Sequence, residues 1–181
     1  MLWLVAIALG LGLGLGAGGK LSNLTRLRFR WPLLLLAAVL IREVVIFSPV
    51  SQVPGAQYVY ALSLVLIVLW TIWHLNRLPG VWLVTLGALL NLVVVVANGG
   101  HMTVAHDLAA SQLNGELVRR GTIGQYTLMT PDTHLNFLGD WISLRPIIPE
   151  GYSPGDLLIA LGVALIILVA LVRPPQSRFA L

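Results

Sequence analysis

NLVVVVANGGHMTVAHD, residues 91 to 107, divides this chain in two. Before it the apolar run reaches back to residue 80, with no charged side chain from Val81 to Ala97; after it come glycines, histidines and the first acid of a long polar segment. A helix needs about 17 to 25 predominantly apolar residues to cross a hydrocarbon core about 30 Å thick, and the run ending at Ala97 meets that length. Working outward, four further stretches do the same, 2–18, 32–48, 56–73 and 155–172, beside the central 80–97. Prolines 32, 54, 79 and 154 stand at or just before the starts of four of them, where a missing N–H leaves no helical acceptor unpaired. No alternating barrel pattern is present. The predicted fold is an all-α membrane protein: one membrane domain over residues 1–181, with five transmembrane helices and an extracytoplasmic cap of short helices over 98–153.

Composition agrees. Of 181 residues 57% are hydrophobic and 10% charged, against about 25% charged in soluble domains. The net charge of +4 has a sided distribution. Lys20, Arg26, Arg28, Arg30, Arg77, Arg173 and Arg178 lie in segments without acids, whereas 98–153 sets Asp107, Glu116, Asp132, Asp140 and Glu150 against three arginines. Lys and Arg are retained on the cytoplasmic side of short loops, so the N-terminus is expected outside and the C-terminus in the cytoplasm. Trp31, Trp70, Trp73 and Trp82 then mark the inner interface, and Trp3, Tyr58, Tyr60, Trp141 and Tyr152 the outer one. The first run is read as a span and not as a cleaved leader, because Lys20 follows the apolar stretch and does not precede it. The basic connection suits anionic lipid headgroups, and no motif points to nucleic acid. Without cysteine there is no disulfide framework or thiolate site.

Asn98-Gly99-Gly100 reads as the turn that ends the fourth span. A left-handed Asn or Gly there caps the last carbonyls, and Asp140, after Gly139, is expected to accept from the glycine N–H groups and tie the cap to the turn. Ser153-Pro-Gly-Asp156 reads as a capping box opening the last span. Within 98–153, short helices are expected from about Val104 to Leu113 and from Pro131 to Leu138, with Leu117 to Met129 extended.

Three groups of residues are candidates for chemistry. Arg42 and Glu43, about two turns from the end of the second span, form a polar cluster with Asn91; ionised groups in hydrocarbon normally face protein or water. His101, His106, His134 and Asp140 offer ligand types suited to zinc, but no HExxH is present and a separation of five residues suits one helical face poorly, so no metal is assigned. His74, beside Trp70 and Trp73, is read as interfacial before it is read as a haem or pigment ligand. No nucleophile elbow or phosphate loop is found, no catalytic residue is assigned, and no cofactor is named.

Gly10, Gly14 and Gly18 form one ridge of the first span, with Gly12 and Gly16 nearly opposite. Small residues four apart let helices approach closely in lipid, so this helix is expected to pack against neighbours on two faces.

ANGGHM at 97–102, LGDW at 138–141 and SPGD at 153–156 resemble a family of small bacterial integral membrane proteins of unknown function, over about residues 30–172. Thr103 stands where that family often carries proline. The resemblance implies a bacterial cytoplasmic-membrane protein and supplies no activity. The leading expectation is a non-enzymatic structural or accessory subunit, partnered by the bilayer and by other membrane proteins, or by itself, through the Gly-rich helix. The alternatives are a small transporter or lipid- or quinone-binding protein using Arg42, Glu43 and Asn91, and a metal-dependent hydrolase of the outer face.

Overall fold

The computed structural model describes residues 2–47, 49–109, 125–144 and 148–172. Among the described residues it is mostly helical, with five α-helices: α1 (Leu2–Gly16), α2 (Pro32–Phe47), α3 (Ala56–Trp73), α4 (Val81–Ala97) and α5 (Pro154–Val172). Of these, α3 and α5 are long and apolar enough to cross a membrane; α1 and α4 are shorter apolar helices, and α2 has 16 residues with Arg42 and Glu43 inside it. Five full-length spans are therefore not what the helix lengths show. The helices stop early for local reasons. α1 gives way after Gly16 to a left-handed Gly18 (φ +81°), and α4 is bounded by left-handed glycines at both ends, Gly80 (φ +89°) and Gly99 (φ +65°).

The largest interfaces are α4·α5 and α1·α5, followed by α2·α3 and α3·α4. The helices thus follow one another in the order α2, α3, α4, α5, α1, with α1 and α2 at the two ends. Glycines permit the closest approaches. A Cβ on Gly162 would lie 2.9 Å from the carbonyl oxygen of Gly80, and one on Gly155 would lie 2.6 Å from that of Gly87. Among the described residues, one glycine ridge of α1 is used: a Cβ on Gly10 would meet the Ala164 carbonyl oxygen at 2.8 Å and one on Gly14 would run into Leu171, while at Gly12 and Gly16 it would meet nothing within 4 Å. The expected packing on two faces is thus seen on one. At the far end of α5, the N–H of Lys20 (3.2 Å) and the Asn23 amide (2.7 Å) both donate to the Leu171 carbonyl, which has no acceptor role left inside its helix.

α4 ends in a Schellman turn. The Gly100 N–H donates to Val95 O at 2.8 Å and the Gly99 N–H to Val96 O at 3.3 Å, with both glycines at positive φ. Those N–H groups consequently face helix carbonyls and not Asp140, contrary to the expectation from sequence. The turn is tied to the cap by Asn98 instead: its amide donates to Val94 O and His134 O, and its Oδ1 accepts from the His134 N–H, each at 2.8 Å.

The cap between α4 and α5 corrects the short-helix expectation. β1 (Met102–Val104) pairs in parallel with β2 (Tyr126–Leu128), and β3 (Ile142–Leu144) pairs antiparallel with β4 (Ile148–Tyr152). Asp140 joins the first ladder through its backbone, donating to Thr103 O at 2.8 Å and accepting from the Ala105 N–H at 3.0 Å. Val104 is therefore in a strand, and residues 106–108 form a turn. Residues 110–113 of the helix expected over 104–113 lie outside the described residues, as does 117–124. The second expected helix shrinks to a 3-10 turn, Asn136–Leu138. Side-chain bonds replace helical ones there, since the Thr133 hydroxyl donates to Thr130 O and the Asn136 amide to the same carbonyl.

Candidate functional site

Along each helix from α2 to α5 one stripe at helical spacing turns toward a common interior: Leu35, Val39 and Arg42 on α2; Tyr60, Leu64, Ile67 and Thr71 on α3; Val81, Val84, Ala88 and Asn91 on α4; Asp156, Ile159, Val163 and Ile166 on α5. These residues, with Trp3 of α1 and Leu27 and Phe29 of the first connection, line a cavity of about 470 Å³. That size lies within the range of small-molecule sites, about 300–1,000 Å³. From Asn91 to Val81 the wall runs ten residues of helix, or about 15 Å at 1.5 Å per residue.

The two ends differ chemically. Toward the cap, each stripe finishes in a polar residue, and Arg42, Glu43, Tyr60, Asn91 and Asp156 form a ring. Below it the lining is apolar except for Thr71 and the Trp70 edge. The ring is partly wired by the capping box of α5. The Ser153 hydroxyl accepts from the Asp156 N–H at 2.9 Å and donates to Asn91 Oδ1 at 2.8 Å; the Asp156 carboxylate accepts from the Ser153 N–H at 3.2 Å and from the Asn91 amide at 2.9 Å. Arg42 stands across from this network. Its guanidinium lies 3.8 Å from Glu43, a loose contact of neighbours in sequence, and its buried Nε has no hydrogen-bond partner among the described residues.

Arg42, Glu43 and Asn91, grouped from sequence, thus do line one cavity, but the Asn91 amide is engaged by Asp156 and Ser153 and not by Arg42. Sequence reasoning missed Tyr60, taken as an interfacial aromatic, and the cavity role of Asp156, taken only as a cap. The signal was present: each stripe carries a polar residue at its cap end.

Asp140 lies above the ring, buried, within electrostatic range of Asp156 and Arg42. Burial pushes its carboxyl well above the usual range, Asp156 adds to the shift and Arg42 opposes it. Burial likewise raises the Tyr126 phenol, with Asp140 second. A carboxyl whose pKa is higher folded than unfolded stabilises fully below its unfolded value, about 3.9, and that contribution is lost as pH rises through the folded value. Thermal midpoints in detergent should therefore fall as pH rises from about 4, and Asp140→Asn should flatten the profile. Parallel profiles for the two proteins would show that Asp140 is not the responsible group.

The histidines are dispersed. His101 Nδ1 faces Asn98 O at 3.1 Å, His106 Nε2 faces Met129 O at 3.1 Å, and His134 meets Asn98 through its backbone. Among the described residues no three His, Cys, Asp or Glu side chains gather as a metal site. His74 is fully buried, stacks on Trp70 at 3.9 Å, accepts the Arg30 N–H on Nε2 at 3.2 Å and places Nδ1 2.8 Å from Trp70 O. Both ring nitrogens are engaged. His74 and Trp70, whose indole N–H donates to Arg30 O at 3.0 Å, pin the first connection to the end of α3.

Residues 26–168 match the model of a family described as a family of unknown function, DUF5317. No curated protein and no solved structure matches the chain.

Proposed function

From the premise that this chain belongs to the family of unknown function DUF5317, we propose that it is a multi-pass protein of the bacterial cytoplasmic membrane that binds a lipid or quinone in its intrabundle cavity. The observation that carries this reading is the cavity itself, apolar along about 15 Å of helix and lined at one end by a polar ring around Arg42. In this reading all five helices cross the bilayer, the short ones beside α3 and α5. Large apolar side chains point outward on each, among them Leu13, Leu33, Leu62, Val96 and Leu161, each more than half exposed. A continuous apolar exterior of that kind suits lipid and not water. The cap faces outside, since the cation-rich, acid-free segments lie at the opposite end.

Topology and binding are tested together. The chain has no cysteine, so single cysteines placed at Ser22 and Ser111 report cleanly; an impermeant reagent on intact cells should label only Ser111. Native mass spectrometry of protein extracted with its lipids should show one retained amphiphile. Labelling at Ser22 would invert the orientation, and protein that never carries a small molecule would remove the binding role.

A second reading rests on a different observation. Gly12 and Gly16 present a ridge with none of the described residues against it, as an accessory subunit that packs on another membrane helix, or on a second copy, would. Association through that ridge is compatible with a filled cavity.

A further inference from the structure

The ring at the cap end carries one cation, Arg42, and two carboxylates, Glu43 and Asp156. An anionic headgroup would add a third negative charge beside a single guanidinium, in surroundings of low dielectric where such an imbalance is costly. A cationic headgroup would stand beside the like charge of the Arg42 guanidinium, with only Glu43, loosely held at 3.8 Å from Arg42, to receive it. Asp156 already accepts from the Asn91 amide and the Ser153 N–H and sits at the positive end of the α5 dipole. Glu43 faces the Arg42 guanidinium. What the ring leaves open is a donor, the Arg42 Nε, buried and without a hydrogen-bond partner among the described residues. A buried donor of this kind is satisfied by an acceptor atom.

Resting on the binding reading above, we propose that the cavity takes an uncharged amphiphile whose head carries carbonyl-type acceptors, as a quinone or an acylglycerol does. The head accepts from Arg42 beside Tyr60, and the tail lies along Leu64, Ile67, Val84 and Val163 toward Phe29. Below the ring no charged side chain among the described residues lines the wall, so a tail of alkyl or isoprenoid type meets a surface that is apolar but for Thr71 and the Trp70 edge.

The test uses the full chain in nanodiscs and four probes with chains of similar length: a benzoquinone bearing a ten-carbon chain, a twelve-carbon monoacylglycerol, dodecanoate and dodecylamine. Trp3 and Trp70 line the cavity, so tryptophan fluorescence reports occupancy, and the thermal midpoint gives a second readout. The quinone, the monoacylglycerol or both should bind saturably and at least tenfold more tightly than the two charged probes; which of them binds better identifies the head. Val163→Phe, which fills the cavity, should abolish binding, whereas Leu161→Phe on the exposed face of the same helix should not. Arg42→Leu should weaken binding at least tenfold, and if that variant does not fold, the probe series on the wild type decides alone. Dodecanoate or dodecylamine binding as tightly as the neutral probes would overturn the assignment of head charge while leaving the cavity reading intact. Failure of all four to bind, or binding that survives Val163→Phe, would overturn the cavity reading as well.

Discussion

Gly155→Ala is expected to force α4 and α5 apart and to lower stability by about 3–6 kcal/mol, combining the strain of overpacking with polar groups left unpaired at about 1–3 kcal/mol each. A Cβ there would collide with Asn91 Oδ1 and lie 2.6 Å from the Gly87 carbonyl oxygen. The second contact decides the magnitude, because a carbonyl inside a helix cannot retreat as a side chain can. If Asn91 moves to make room, it abandons Asp156 and Ser153 together. Glycine to alanine inside a helix ordinarily stabilises, by about 0.5–1 kcal/mol, so even the sign is diagnostic. Gly12→Ala, where a Cβ meets nothing within 4 Å, supplies the control. Thermal unfolding in detergent should show Gly155→Ala far below the wild type, or no folded protein at all, and Gly12→Ala at or above it. A Gly155→Ala protein with an unchanged midpoint would mean that α4 and α5 do not meet in this way.

The second large effect is expected at Gly14. A leucine there would run into Leu171 on α5, at the end where Lys20 and Asn23 also bind the Leu171 carbonyl. Gly14→Leu should therefore destabilise by about 1–3 kcal/mol or more and release the first connection from α5. Gly12→Leu should leave the unfolding midpoint unchanged, because its side chain meets open space. The pair also separates fold from association. If the open ridge is where another helix packs, Gly12→Leu lowers the association state seen by crosslinking while the midpoint holds. Equal midpoints for Gly12→Leu and Gly14→Leu would remove the claim that α1 has one packed face and one open face.

Some of this was legible in residue order because its causes are local. Gly99 and Gly100 can adopt positive φ where other residues resist it, so the end of α4 was readable at Asn98-Gly99-Gly100. The capping box at Ser153 and Asp156 needs only residues three apart. The glycine ridges of α1 were visible as a repeat, but nothing local distinguishes Gly14, which packs, from Gly12, which does not. In the cap, a residue such as Val104 serves a short helix or a strand equally well in isolation. The choice fell to ladder partners more than twenty residues away in sequence.

The helical character, the apolar runs and the sided charge of the chain follow from the sequence alone, because hydrogen bonds within a helix and the hydrophobicity of a run depend on near neighbours. Only the tertiary structure decided that the stripes from Leu35 to Arg42, Tyr60 to Thr71, Val81 to Asn91 and Asp156 to Ile166 enclose one space. It also decided that Asn91 answers Asp156 while the Arg42 Nε answers no group of the described chain. Those pairings depend on the rotation of each helix about its axis, and for α4, α5 and α1 glycines let backbones touch where that rotation is fixed, a relation between distant residues that no single stretch of sequence contains.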